Sequence, residues 1–121
     1  MEGTKEELTK IENNGATCIC LNLKRKEEII FKAKRKLKKI LKQINPEIVH
    51  THGIFPDFIM TKIKGKYKKI TTLHCNILED YPNTYGKLVG NMMILAHLQA
   101  LKKIDNVIAC SESVFYAIKD K

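Results

Sequence analysis

The chain has 121 residues, of which 44% are hydrophobic, and this is enough for one domain with its own core and too apolar for a disordered chain. Four cysteines without C-x-x-C spacing exclude a zinc ribbon or a disulfide-rich secreted scaffold, and no apolar stretch reaches the roughly 20 residues that span a bilayer. The formal net charge is +9, and residues 24–42 carry most of it. We therefore expect a cytoplasmic domain with one strongly basic helix.

The first half of the chain is predicted to form two helices and a strand. Thr4 caps a short helix that ends near Asn13, and a strand follows over 16–23, with Cys18 and Cys20 on one buried face. The basic helix covers about 26–44 and ends at Asn45-Pro46. Its apolar stripe can pack on a sheet, while its lysines suit either solvent or an anionic membrane surface.

The second half continues the alternation. We predict strands at 47–50, 69–74 and 106–110, helices at about 57–64 and 85–104, a loop at 76–83, and a last helix over 111–119. Short apolar strands between helices indicate an α/β fold, with a Rossmann-like parallel sheet flanked by helices and right-handed crossovers.

Polar side chains follow three of these strands, at the edge where open α/β sheets bind ligands. His74 can hydrogen-bond a sugar hydroxyl or a phosphate, or it can cap the strand by bonding a loop carbonyl. His52 and Gly53 are expected in a loop over the cleft. His50 lies where the strand is still apolar, so we expect it to be buried and structural.

The remaining polar candidates lie further along the chain. Ser111 and Glu112 place the N-terminus of a helix at the cleft, where it suits an anion or where Ser111 serves only as a cap. His97 is expected in the core or on the surface of the long helix. Glu79 and Asp80 are adjacent carboxylates whose side chains diverge, so acid–base chemistry shared between them is not expected.

Two other functional classes stay open at this level. A metal-dependent hydrolase could use His50, His52 and His74 as ligands, but matching strand ends lack carboxylates, so no metal is expected. A nucleic-acid-binding module could use the basic helix, but Phe31 is the only aromatic residue within the basic run, so nucleic acid is not an expected partner.

Three segments resemble family 4 retaining glycosyltransferases, which have two Rossmann-like domains in the GT-B arrangement. Residues 45–53 (NPEIVHTHG) are similar to a strand and loop of that family, residues 70–76 (ITTLHCN) to its next strand, and residues 107–113 (VIACSES) to a later one. The resemblance covers about 16–121. It implies that residues 1–121 are one incomplete, acceptor-side N-terminal domain, without the first strand, the glycine-rich loop or the C-terminal nucleotide-sugar domain.

The resemblance also implies a function. The parent enzyme transfers a sugar from a nucleotide-sugar donor to a saccharide or lipid-linked acceptor in bacterial surface-polysaccharide synthesis, and the chain alone is inactive. The donor is a substrate, and no cofactor is expected. His74 takes the catalytic position facing the donor sugar and phosphate, and the basic helix at 24–44 reaches the inner face of the membrane. The substrate-binding candidates are His52, Gly53, Asn76, Ser111 and Glu112.

Overall fold

The computed structural model describes residues 5–21, 23 and 29–121, and it contains helices on a small parallel sheet. In chain order the elements are α1 (Lys5–Asn13), α2 (Ile29–Ile44), β1 (Ile48–His52), α3 (Ile54–Thr61), β2 (Lys68–Leu73), α4 (Ile77–Tyr85), α5 (Lys87–Leu101), β3 (Asn106–Ala109) and α6 (Glu112–Ile118). None of the described helices is long and apolar enough to cross a bilayer.

The three strands form a parallel sheet in the order β1-β2-β3. His52 of β1 lies beside Thr72 of β2, and Thr72 lies beside Ile108 of β3. Helices connect successive strands, as parallel pairing requires. The predicted Rossmann-like α/β fold is therefore confirmed, and the three observed strands start and end within two residues of the predicted bounds.

The predicted strand at 16–23 is wrong for the residues that the structure describes there. Positions 16–21 and 23 have no strand conformation, Ile19 is 51% exposed, and Cys20 is exposed rather than buried. Two contacts connect this segment to the helices. The Leu21 carbonyl accepts a hydrogen bond of 2.6 Å from Lys36 Nζ, and Leu23 packs on the buried hydrophobic cluster that includes Ala33 of α2 and Met60 of α3. A strand needs a neighbouring strand for its backbone groups, and local sequence does not supply one.

The basic helix is confirmed over Ile29–Ile44, while its predicted start at about 26, like the Thr4 cap, lies outside the described residues. Asn45 ends the helix with a φ of 48°, a left-handed conformation that asparagine tolerates. The third helix begins at Ile54 rather than near Asp57. Pro56 fits its first turn, because backbone N–H groups there have no partner within the helix.

The predicted loop at 76–83 is wrong, because it forms most of α4. The side chain of Asn76 accepts a hydrogen bond of 3.2 Å from the N–H of Leu78 and so caps that helix. The long helix predicted over 85–104 is shorter and begins after Gly86, whose φ of 80° separates α4 from α5. The two helices then fold back on each other.

The helices cover one face of the sheet. Leu73 lies in a cluster with residues of α4, α5 and α6, and Val49 packs on a second cluster between α2 and α3. The opposite face carries side chains that alternate with these, including Ile48 and Ile108, which are 55% and 46% exposed. The described part of the chain thus leaves this second face open to solvent.

Candidate functional site

Three histidines lie together at the carboxyl ends of β1 and β2. His50 and His52 are two residues apart on one strand and therefore share a face, and His74 directly follows the neighbouring strand. The ring centroids of His50 and His52 are 4.6 Å apart, and those of His52 and His74 are 5.2 Å apart. The sheet register thus assembles the three imidazoles of His50, His52 and His74 into one stack, which we call the histidine stack. Their proximity agrees with the expectation that they lie at one edge of the sheet.

Hydrogen bonds fix the orientation of these rings. His52 Nδ1 and His74 Nε2 are 2.9 Å apart, so one ring donates its N–H to the other. His50 Nε2 lies 2.8 Å from Thr72 Oγ1. Each bond uses one nitrogen of a ring, so the second nitrogens of His52 and His74 can still bond a ligand.

All three histidines are exposed. The expectation that His50 is buried is therefore wrong, because β1 turns His50 and His52 toward the open face of the sheet and Thr51 toward the helices. An exposed imidazole at a strand end is accessible to a ligand in the crevice that α/β sheets form there. The role of His74 toward a donor stays a prediction.

The end of β3 lies next to this site. The Cys110 N–H donates to the Leu73 carbonyl at 3.1 Å, and Cys110 Sγ donates to the His74 carbonyl at 3.3 Å. The next residue, Ser111, caps α6 by accepting a hydrogen bond of 3.4 Å from the Val114 N–H. Ser111 and the adjoining Glu112 are both exposed, so the structure places them at the predicted edge of the sheet.

The other candidates have structural tasks that ligand binding would have to accommodate. Gly53 has a φ of 91° and precedes α3, and a Cβ there would have nothing within 4 Å. The presence of glycine at position 53 is therefore explained by the positive backbone angle φ rather than by steric crowding around a side chain. Asn76 uses its side-chain oxygen for the α4 cap. Binding of substrate by Gly53 and Asn76 stays a prediction.

The largest feature that the sequence patterns missed is a buried polar network around Asp57. The Asp57 side chain has no exposed surface, and His97, from α5, is 1% exposed. His97 Nε2 lies 2.8 Å from one carboxylate oxygen of Asp57 and Nδ1 lies 2.8 Å from the Tyr81 hydroxyl. Thr71 donates to the same carboxylate at 3.0 Å, and the Thr51 hydroxyl donates to its other oxygen.

This arrangement keeps Asp57 ionised. Burial acts to raise the pKa of its carboxyl, but hydrogen bonds from His97, Thr51 and Thr71, and the positive charge that His97 can carry, hold that pKa below its usual value. An ionised carboxylate only accepts hydrogen bonds, so His97 donates from Nε2 to Asp57. The network joins β1, β2, α3, α4 and α5 through side chains alone.

The groups next to the network are poor nucleophiles. Burial, with smaller effects of neighbouring negative charges, raises the pKa of Tyr81 to about 12. Burial, followed by the hydrogen bond and charge of Asp80, raises the pKa of Cys75 to about 11. Both side chains are therefore protonated near neutral pH, and a thiol is a much weaker nucleophile than a thiolate. The network has the properties of a structural unit.

One sequence signal pointed to this network. Asp57 is the only charged residue in an otherwise apolar helical stretch, and His97 is similarly placed among Leu95, Ala96 and Leu98. The two residues are 40 positions apart, so periodicity could not pair them. The part of the chain that the structure describes contains no group of three or more His, Cys, Asp or Glu side chains arranged to hold a metal ion.

The comparison with protein families agrees with this geometry. Residues 6–120 match the model of Glycosyltransferase Family 4, which covers nearly the whole chain. The chain therefore belongs to glycosyltransferase family 4. Searches of curated proteins and of solved structures gave no significant match.

Proposed function

We propose that this chain forms the acceptor-side wall of a retaining glycosyltransferase of the GT-B type. The parent enzyme would transfer a sugar from a nucleotide-sugar donor to a saccharide or lipid-linked acceptor, in the synthesis of bacterial surface polysaccharide. Family membership supports the reaction class. The observation that carries the site is the 2.9 Å bond between His52 Nδ1 and His74 Nε2 at an exposed strand end.

In the proposed transfer, the bond between the sugar C1 and the donor phosphate oxygen breaks while C1 bonds the acceptor oxygen. The acceptor hydroxyl proton passes to the departing phosphate, so the product is a nucleotide and a glycoside. Negative charge develops on the phosphate during the step. A fixed N–H donor near that charge stabilises the transition state more than the ground state.

His74 is the proposed donor. His52 is a proposed substrate-binding residue that also positions the His74 ring, and His50 is a positioning residue. The His52–His74 bond restricts the rotation of the His74 ring, and the His50 ring stacks on His52 while bonding Thr72. Gly53, Asn76, Ser111 and Glu112 are the proposed neighbours of the substrate, because they lie in or next to the turns that follow the three strands. The second wall of the cleft, with the main nucleotide site, would come from another domain.

We also propose that the parent enzyme works in the cytoplasm, as a peripheral protein of the inner membrane face. Support comes from α2, whose Ala33 is 2% exposed against α3 while Arg35, Lys38, Lys39 and Lys42 are exposed. Phe31, at the start of the helix, is 83% exposed. Basic side chains beside an exposed aromatic ring suit an anionic lipid surface.

The test of the sugar site is His74→Ala in the enzyme that carries both walls of the cleft. We expect kcat to fall by about 10² to 10³, the size of losing one preorganised hydrogen-bond donor, with little change in the thermal melt. Steady-state kinetics with donor varied at saturating acceptor measures this.

His50→Ala is the matched control, since it removes an imidazole from the same stack. The exposed His50 ring contributes little packing, so we expect less than about a tenfold loss of kcat and a nearly unchanged melt. Near-normal turnover in His74→Ala, together with loss of turnover in folded His50→Ala, would reverse the roles of these two histidines.

A further inference from the structure

A second site candidate lies away from the histidine stack, between α5, β3 and α6. It is a cavity of about 280 Å³. Its apolar lining comes from Leu98, Leu101, Val107, Ala109, Phe115 and Ile118. Val107 and Phe115 are 37% and 51% exposed, so this lining is open to solvent on one side.

The rim of this cavity is basic. Lys102 follows the end of α5, Lys119 follows the end of α6, and both line the cavity together with Lys121. Lys119 Nζ lies 5.1 Å from the ring centre of Tyr116. The charged side chains that line the cavity are all lysines, so they favour an anionic group at the mouth over a cationic one.

The cavity is separate from the histidine stack. Thr71 and Leu73 face the helices, and their register partners Val107 and Ala109 therefore share that face of the sheet. His50 and His52 lie on the opposite face. A ligand in the cavity would therefore leave the stacked imidazoles untouched, and its binding can be tested independently of sugar transfer.

The volume limits the size of a ligand. An apolar protein cavity of about 150 Å³ holds benzene, which has about six heavy atoms, so 280 Å³ accommodates about eleven. An apolar body of that size with one negative end matches both the lining and the rim. We propose that this cavity binds a single-chain amphiphilic carboxylate of medium length, with the alkyl chain among Leu98, Leu101 and Phe115 and the carboxylate beside Lys102 and Lys119.

The experiment uses the 121-residue chain and two probes of matched length, octanoate and 1-octanol. Calorimetric titration should give saturable, one-to-one binding of octanoate that is tighter than that of 1-octanol. Lys102→Gln combined with Lys119→Gln should lower the affinity for octanoate by about fivefold or more, as expected for losing two partly exposed ion pairs. The affinity of the same variant for 1-octanol should change by less than about twofold.

Two further variants make the result specific. Lys66→Gln combined with Lys87→Gln removes the same net charge from exposed sites outside the cavity, and it should change octanoate affinity by less than about twofold. Ala109→Leu reduces the cavity volume and should lower the affinity for both probes. Its thermal melt, compared with that of the parent chain, shows whether the variant is folded, and the charge variants carry the test if it is not.

The proposal is overturned by any of three results. Equal loss of octanoate affinity in the two lysine pairs would show attraction to overall charge alone. Equal affinity for octanoate and 1-octanol would remove the role of the basic rim. The third result is that octanoate does not bind, while sedimentation velocity shows a dimer that Phe115→Ser dissociates. This result would assign the cavity to a second copy of this chain.

Discussion

Asp57 is a carboxylate without exposed surface whose two oxygens accept hydrogen bonds from His97, Thr71 and Thr51. A buried carboxylate loses its hydration, so the hydrogen bonds that it accepts contribute less to stability than their strength in isolation indicates. Removing one partner is much more costly, since the other polar groups stay buried without their acceptor. The network should therefore be intolerant of change at its centre.

We expect Asp57→Asn to lower the free energy of unfolding by about 1 to 3 kcal/mol or more, the cost of leaving buried polar groups without a hydrogen-bond partner. The amide keeps the shape of the carboxylate but loses the charge and one acceptor. Urea unfolding followed by circular dichroism measures the change. Asp120→Asn is the control at an exposed carboxylate, with an expected change within about 0.5 kcal/mol. Similar small effects in both variants would contradict the assignment of the network as a stabilising unit.

The same carboxylate predicts a pH dependence. Its folded pKa lies below the unfolded value of about 3.9, so its contribution to stability is complete above that pH and is lost as the pH falls through the folded pKa. The difference in unfolding free energy between the parent chain and Asp57→Asn should therefore shrink as the pH falls below about 4. Urea midpoints at a series of pH values measure it. A difference that grows as the pH falls below about 4 would mean that the pKa of Asp57 is raised.

At the scale of elements, the turn between α4 and α5 determines how the helices cover the sheet. Gly86 separates them with its positive φ, and Gly90 then lies against the backbone of α4. A Cβ at position 90 would be 2.4 Å from the Pro82 nitrogen and 2.5 Å from the Pro82 Cα. Backbone atoms cannot rotate away as a flexible side chain can, so this contact requires glycine.

We expect Gly90→Ala to destabilise the chain by about 1 to 3 kcal/mol or more, even though alanine is the better helix former by about 1 kcal/mol. The reason is that the methyl group would separate α4 from α5. Asn91→Ala is the matched control on the adjacent, exposed position of the same helix, and it should be neutral or slightly stabilising. Thermal melts compare the two. A stabilised Gly90→Ala would show that the helices separate at low cost.

Most of the net positive charge of the molecule comes from the basic segment at residues 24–42. Residues 24–42 contain ten basic and two acidic side chains, so they contribute +8 of the net charge of +9. Within the described part of this segment, Ala33 packs against α3 and the basic side chains at 35, 38, 39 and 42 are exposed. Attraction to an anionic surface is worth about 1 kcal/mol per basic residue near it, and salt screens this attraction.

We expect the chain to bind vesicles rich in phosphatidylglycerol at low salt and to dissociate at high salt, as measured by vesicle sedimentation. Changing Arg35, Lys38, Lys39 and Lys42 together to Gln should reduce the bound fraction strongly. Changing the exposed Lys64, Lys66, Lys87 and Lys103 to Gln removes the same charge elsewhere and should reduce it much less. Equal reductions in the two variants would exclude α2 as the specific contact.

Much of the fold could be predicted from local patterns. Strands β1, β2 and β3 and helix α2 were predicted at nearly their observed bounds, because short apolar runs and amphipathic periodicity are local properties. The cap at Ser111 was predicted for the same reason. The strand predicted at 16–23 is wrong at the described positions 16–21 and 23, since a strand depends on a neighbour that its own residues do not specify. Helix α4 was missed because its loop-like composition, with Asn76 and Pro82, suits a capped helix equally well.

Local patterns are enough to assign the class of this protein. The alternation of elements and the segments around His52, His74 and Ser111 lead to glycosyltransferase family 4, and the family match confirms it. The contacts between side chains of different elements could not be read from those patterns. The parallel register brings His52 within 2.9 Å of His74, and the packing of α3 against α5 joins Asp57 to His97 across 40 positions. The physical reason is that strand pairing and helix packing depend on contacts between distant residues, whereas periodicity and capping depend on near neighbours.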